Sequence, residues 1–436
     1  MKLKEISFTN IGPIENQSVS FNESGEGNIK NPVIVFIGNN GSGKTTILKS
    51  IATSLSWFVS RVRSPRSNGE SIPEHLIKLE KNYASISVTI EDEISSTKKD
   101  YTWRITKART GKNTPELTSL NQLRDLAFNY RENYTNNDSC SLPLIIFYPV
   151  ERAVLDVPLR IRKNHTFNQI NGYSDDISKS GVDFRTFFEW FRQREDVENE
   201  TVRAEFDKRL HSENTLNAVF RYKDPQLEAV RSAISKGNFG FDQLKVERKP
   251  HLRMTAIKNG NIFNITQLSQ GEKILIALIG DISRRLAIMN PSLENPLEGE
   301  GIIMIDEIDM HLHPQWQSNI LDKLSTTFPN CQFIVTTHSP IVIGSFNNAL
   351  FFSLENGNIK PIKKTFGKDV NLILNDYMAT DNRNSYVKKR INNIIKQIEN
   401  NNLEQAENDL SELKKLIDPT DPEVNNLDFL LASLNS

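Results

Sequence analysis

The sequence predicts an α/β fold built on a parallel sheet, and three observations carry that expectation. Residues 33–37, Val-Ile-Val-Phe-Ile, form a continuous apolar run of the kind buried on both faces of such a sheet. Residues 301–305 and 332–336 are further runs of this type. Helical patterns at 45–63 and 273–289 are interleaved with them, so strands and helices alternate as in βαβ units.

Taken in order, residues 3–9 and 17–21 read as strands around an Ile11-Gly12-Pro13-Ile14 turn. Helix 45–63 ends in the breaker-rich stretch Ser64-Pro65-Arg66-Ser67-Asn68-Gly69-Glu70-Ser71. Residues 84–91 and 101–107 alternate as strands and predict a small antiparallel subdomain, while 143–148 is another buried strand. A long helix is expected over 184–210, with Phe187, Phe188, Trp190 and Phe191 near its start serving as packing groups. No heptad register persists there, which argues against a long coiled-coil arm. Residues 244–248 and 252–257, with a turn at Asn259-Gly260-Asn261, read as strands leading into Leu268-Ser269-Gln270-Gly271-Glu272-Lys273. Beyond about Tyr377 the pattern is helical, broken at Asn400-Asn401-Asn402 and at Asp418-Pro419-Thr420-Asp421-Pro422. The expected partition is a head in two parts (1–150 and 241–380), a mostly helical insertion (151–240) and a C-terminal helical appendage (381–436).

The 436 residues leave room for about two or three domains. A formal net charge of −1 excludes a chain that binds polyanions through its overall charge, so any nucleic-acid surface is local. Two cysteines, Cys140 and Cys331, lie far apart without CxxC or Cys/His spacing, which argues against a disulfide framework or zinc knuckle and fits a reducing cytosol. The first residues lack a signal-peptide core, and no apolar run approaches the ~18 residues of a membrane span. A cytoplasmic chain without membrane contact is expected.

Gly38-Asn39-Asn40-Gly41-Ser42-Gly43-Lys44-Thr45 satisfies the phosphate-loop pattern between an apolar strand and a helix, the context that gives the pattern its meaning. Backbone N–H groups of such a loop curl around phosphate oxygens, its lysine reaches the β/γ oxygens, and its Thr ligates Mg²⁺. Lys44 and Thr45 take those roles here, with Thr46 next along the helix, so ATP and Mg²⁺ are the expected ligands. Residues 302–305 then deliver Asp306 and Glu307 at a strand end, where Asp306 would hold Mg²⁺ and Glu307 would polarise the attacking water. Locally, Ser269 followed by Glu272 reads as a helix N-cap with a first-turn acid.

Residues 268–273 also resemble the signature loop of ABC-type ATPases, and the order of motifs strengthens the likeness. Gly271, Asp306 and His338 follow at intervals of 35 and 32 positions, and Phe333-Ile334-Val335-Thr336-Thr337-His338 resembles the switch-histidine strand of that family. The resemblance implies head-to-tail dimers in which Ser269 and Gly271 meet the γ-phosphate held by another subunit's Lys44. It also implies that His338 orients the water. Residues 306–316 resemble the D-loop region of the SMC- and RecF-like branch, which would put Asp309 at the dimer seam. One departure is that no glutamine follows the middle strand, where Ile145-Ile146-Phe147-Tyr148-Pro149-Val150-Glu151-Arg152 stands. His311-Leu312-His313-Pro314 offers two imidazoles without a third metal ligand at recognisable spacing.

A head without a long arm and with a short helical tail is similar to the stand-alone ATPases of Septu-type (PtuA-like) anti-phage defence. That likeness implies a regulatory ATPase acting as a homodimer or higher oligomer with a separate HNH nuclease, and DNA reached through the complex. A RecF-like DNA-repair ATPase is the alternative, and a transporter motor is disfavoured by the Gly-Pro strand entry and the large insertion. Basic clusters at Arg61-Val62-Arg63-Ser64-Pro65-Arg66, Arg160-Ile161-Arg162-Lys163 and Lys388-Lys389-Arg390 read as solvated faces rather than phosphate contacts.

Overall fold

The computed structural model describes residues 1–21, 32–94, 97–137, 139–150, 167–174, 177, 184–209, 222–237, 239–363, 365–378, 383–418 and 420–434. The strands are β1 (Lys2–Ile11), β2 (Ile14–Ser20), β3 (Val33–Ile37), β4 (Tyr83–Ile94), β5 (Thr97–Ala108), β6 (Leu144–Tyr148), β7 (Asp242–Glu247), β8 (Arg253–Lys258), β9 (Asn261–Asn264), β10 (Gly301–Ile305), β11 (Cys331–Thr337), β12 (Ala349–Glu355) and β13 (Asn358–Ile362). The described helices of the first part are α1 (Lys44–Arg63), α2 (Asn121–Asn136), α3 (Phe184–Arg209), α4 (Pro225–Lys236), α5 (Gln270–Met289), α6 (Pro314–Gln317), α7 (Ile320–Thr327) and α8 (Pro340–Ser345). Those of the tail are α9 (Val370–Met378), α10 (Ser385–Glu399), α11 (Leu403–Leu416) and α12 (Pro422–Leu434).

Strands β13-β12-β3-β11-β10-β6 form the central sheet, parallel throughout except for the β12–β13 hairpin. Every residue of β3, β6, β10 and β11 is buried, which is why these segments are continuous apolar runs rather than alternating ones. Ile305 pairs with both Tyr148 and Val335, so β6 and β10 end level, while β11 runs two residues further to Thr337, which pairs with Ile37 at the end of β3. In a parallel sheet this C-terminal edge is where ligands sit. Helix α1 packs on β6, β10 and β11, and α5 packs on β6.

The small antiparallel sheet has the order β2-β1-β4-β5, and a third sheet is β7-β8-β9. Helix α5 is buried along nearly its whole length. Phe187 of α3 lies on it at Gly280, where an added Cβ would come 2.7 Å from the ring. All four aromatics at the start of α3 are 0% exposed, so they pack as the sequence predicts.

The chain divides into two compact units, Met1–Lys368 and Asp369–Ser436. The division falls upstream of residue 381 because α9 clusters with the tail. In the second unit, Ile391 and Ile394, Ala406, Leu410 and Leu413, and Val424, Leu427 and Leu431 close one core among α10, α11 and α12. Their spacing of three and four residues is that of amphipathic helices packed along one stripe each. The break at 400–402 is a turn in which Asn401 takes a φ of +59°. Among the described residues, no helix is long and apolar enough to cross a membrane.

Candidate functional site

The phosphate loop runs from the end of β3 to the start of α1 and is moulded by its neighbours. At Gly38 an added Cβ would lie 2.7 Å from the Leu354 carbonyl and 2.8 Å from Ser42 Oγ. Gly43, the residue that starts α1, has a φ of +106° and would put a Cβ 2.9 Å from Pro13 Cγ. Both glycines are therefore required by close approach as well as by backbone geometry. Pro13 belongs to the turn between β1 and β2, and at its neighbour Gly12 an added Cβ would lie 3.2 Å from the Thr46 methyl group. The Gly-Pro turn is thus a buttress under the loop. No side chain caps α1 at Gly43, so its first N–H groups are available to an anion.

Lys44 Nζ donates to the carbonyls of Gly38 at 2.8 Å and Asn39 at 3.0 Å, which holds its ammonium inside the curl of the loop. Burial lowers the pKa of Lys44, while the carboxylates of Glu307, Asp306 and Asp309 act in the opposite sense. Thr45 Oγ1 donates to Asp306 Oδ2 at 2.7 Å, and Thr336 Oγ1 donates to Asp306 Oδ1 at 2.5 Å. Asp306 is fully buried, and these two donors to its carboxylate offset the cost of burying its charge, while its backbone N–H donates to the Tyr148 carbonyl at 2.9 Å and fixes the main chain. A hydroxyl and a carboxylate converging beside a phosphate loop are hard oxygen donors that suit Mg²⁺ completed by phosphate oxygens and water.

Glu307 has a φ of +46°, uncommon for a residue with a side chain. Its N–H donates to Thr336 Oγ1 at 2.7 Å, so one hydroxyl fixes both acidic positions. The Glu307 carboxylate lies 4.0 Å from His338 Nε2, and both groups are about one-third exposed. Burial and then the Lys44 cation lower the His338 pKa, so the imidazole is neutral at pH 7. The pair can share a water molecule between them rather than form an ion pair. Thr337 Oγ1 donates to Asp309 Oδ1 at 2.5 Å, fixing that carboxylate in the turn after β10.

Ser269 and Gly271 form a second cluster at the start of α5. Ser269 caps the helix: its Oγ accepts from the Glu272 N–H at 3.4 Å, and its own N–H donates to Glu272 Oε2 at 2.8 Å. Burial works against ionisation of Glu272, but the Lys258 ammonium and the Ser269 N–H outweigh it and hold the carboxyl below its ordinary range. Gly271 packs so tightly on the turn after β10 that an added Cβ would lie 2.2 Å from the His311 carbonyl. This glycine therefore has a reason for being glycine within its own chain, and the start of α5 and the Asp309 turn are one packed unit.

His313 caps α6 by accepting from the Gln315 N–H through Nδ1 at 3.3 Å, which accounts for one of the two closely spaced histidines. Among the described residues, no three His, Cys, Asp or Glu groups gather as a metal site. At the end of the middle strand β6, where the sequence offers no glutamine, stands Tyr148, whose hydroxyl donates to Asp281 Oδ2 of α5 at 2.9 Å. Asp281 also pairs with Arg284 at 2.7 Å and Arg285 at 2.8 Å. Glu151 and Arg152, and the basic cluster at 160–163, lie outside the described residues. Sequence reasoning assigned no role to Thr336, Thr337 or Tyr148. The available signal was two threonines at the end of an otherwise apolar buried strand.

Comparison with known proteins adds four findings. The family described as "AAA domain, putative AbiEii toxin, Type IV TA system" matches residues 33–344. The chain is 37% identical over 350 residues to the "Retron Vc95 probable ATPase" of Vibrio cholerae serotype O1 biovar El Tor, covering 72% of this chain and 67% of that protein. It is 25% identical over 348 residues to the "Septu protein PtuA" of Bacillus thuringiensis, covering 78% and 72% respectively. Among solved structures, the SMC head domain from Thermotoga maritima matches with a TM-score of 0.42 and 18% identity, over 84% of this chain and all of that one.

Proposed function

The chain belongs to the AAA-domain family that its residues 33–344 match, and from that premise we propose that it is a regulatory ATPase of an anti-phage defence complex. The observation that carries this reading is the convergence of Thr45, Asp306 and Thr336 beside a Lys44-filled phosphate loop, with Glu307 and His338 at its mouth. The retron and Septu names of its relatives supply the biological setting.

In this mechanism the loop N–H groups and Lys44 bind the β- and γ-phosphates of ATP, and Lys44 gives up its contacts to the Gly38 and Asn39 carbonyls to do so. Thr45 and Asp306 would hold Mg²⁺, which when bound would supply positive charge against the phosphates. Glu307 accepts a proton from the attacking water, whose oxygen bonds to the γ-phosphorus as the bond to the ADP oxygen breaks. Neutral His338 orients the same water. Ser269, Gly271 and Asp309 of a second copy close the site from the γ-phosphate side, and their packing into one unit lets them move together. ATP-driven closure of this head-to-tail dimer changes how a separate HNH nuclease is presented to its target.

The helical tail is the attachment surface for that nuclease, a reading supported by its own compact core. Deleting residues 369–436 should abolish co-purification with a co-expressed HNH subunit while ATP binding persists. Retention of the nuclease by the truncated chain would contradict the assignment.

A further inference from the structure

Helix α2 carries a stripe that the ATPase reading does not use. It packs on α1 and β5: Leu123, Leu126 and Ala127 are fully buried, and the Tyr130 ring meets Phe58 of α1 edge-on at 5.5 Å. Arg124, Phe128 and Arg131 stand apart from these at intervals of four and three residues, so they share one face. With Arg61 and Pro65 at the end of α1, and with Asp125, they line a cavity of about 450 Å³.

Three features distinguish this cavity from an ordinary solvated surface. Phe128 is 49% exposed, and the Arg131 guanidinium lies 5.8 Å from its ring centre, leaving an aromatic surface open beside a fixed cation. Arg131 and Arg61 are held in place: Arg131 Nη1 donates to the Arg61 carbonyl at 2.7 Å, while the Arg61 guanidinium donates to the Pro65 carbonyl and to Asn68 Oδ1. Arg61 Nε is buried without a partner. Among the described residues, none of the three arginines forms an ion pair, although Asp125 lines the same cavity. A basic residue at the end of α1 is accounted for by the helix dipole, but the dipole does not explain Arg124 or the bare ring of Phe128.

Positioned guanidiniums around an exposed ring match the chemistry of an unstacked base next to a phosphodiester. We propose that the α1–α2 cavity is a binding site for single-stranded nucleic acid, with a base against Phe128 and the flanking phosphates on Arg124 and Arg61. The site draws on Arg61 from the cluster whose sequence reads as a solvated face, and Arg124 and Arg131 of α2 change that reading by joining it.

The test is fluorescence anisotropy of the full chain with labelled oligo(dT) and oligo(U) of twenty nucleotides, a duplex of equal length, and free AMP as competitor. The wild type should bind the single strands in preference to the duplex. Arg124→Ala should reduce the salt slope of binding by about 0.7, the value for one phosphate contact on a single strand. Phe128→Ser should weaken binding about tenfold, as loss of one stacked base does. Both variants should hydrolyse ATP like the wild type, because neither residue lies in the ATP site. Unchanged oligonucleotide affinity in both variants would overturn the proposal. So would a preference for duplex, a Phe128→Ser variant that binds normally, or displacement by AMP at concentrations that match the oligonucleotide.

Discussion

Replacing Thr336 by valine keeps the shape of the side chain and removes one hydroxyl that serves two acidic positions. That hydroxyl donates to buried Asp306 Oδ1 at 2.5 Å and accepts the Glu307 N–H at 2.7 Å. Losing a hydrogen bond to a charged group costs about 1.5–3 kcal/mol, and an orphaned buried N–H adds about 1–3 kcal/mol. Since the two losses share one site and are not additive, a total of about 3 kcal/mol is expected. Glu307 also loses the tether that holds its backbone at a φ of +46°, so the carboxylate that would accept the water's proton drifts. The account predicts that Thr336→Val lowers kcat for ATP hydrolysis by about 10- to 100-fold, as misplacement by about 1 Å does. ATP affinity, which rests on Lys44 and the loop, should change little. Urea unfolding measures the stability loss, phosphate release the turnover, and a fluorescent ATP analogue the binding. Thr336→Ser restores the hydroxyl and should recover most of the rate. Turnover of Thr336→Val within twofold of the wild type, or no recovery in Thr336→Ser, would refute the reasoning.

Other predictions follow from the same geometry. Gly271→Ala places a methyl 2.2 Å from the His311 carbonyl, so the Asp309 turn or the start of α5 must shift. A loss of about 1–3 kcal/mol in urea unfolding is expected, because overpacking outweighs the gain in helix propensity. His338 titrates below its ordinary value in the folded chain, so the unfolded chain binds the extra proton first as pH falls through about 6.5. Wild-type stability should therefore fall below that pH, and His338→Gln should show a shallower fall over the same range when unfolding is followed at several pH values.

Much of the head was legible in the sequence because its parallel strands are buried on both faces and its phosphate loop must be glycine-rich. β3, β10 and β11 lie where the apolar runs predict, with Asp306, Glu307 and His338 at or just beyond their C-terminal ends. The tail breaks were equally readable, because asparagine and proline stop helices locally. Less legible was whatever depends on distant partners. Helix α2 has only three fully buried apolar residues, Leu123, Leu126 and Ala127, too weak a pattern to stand out without α1 beside it. β12 and β13 were missed because a short apolar run such as 350–354 does not distinguish strand from helix until it pairs with β3. The buttress of Pro13 under Gly43, and the link from Tyr148 to Asp281, join residues far apart in the chain whose identities alone give no distance.

The central claim is that ATP binds between two copies of this chain. The most direct measurement is the solution mass of Glu307→Gln by light scattering, with and without ATP and Mg²⁺. With its proton acceptor removed and its binding groups intact, this variant should be a dimer with ATP and revert to lower mass without it, and adding Ser269→Arg should abolish the shift. A Glu307→Gln protein that hydrolyses ATP at the wild-type rate, or whose mass is unchanged by saturating ATP, would contradict the account.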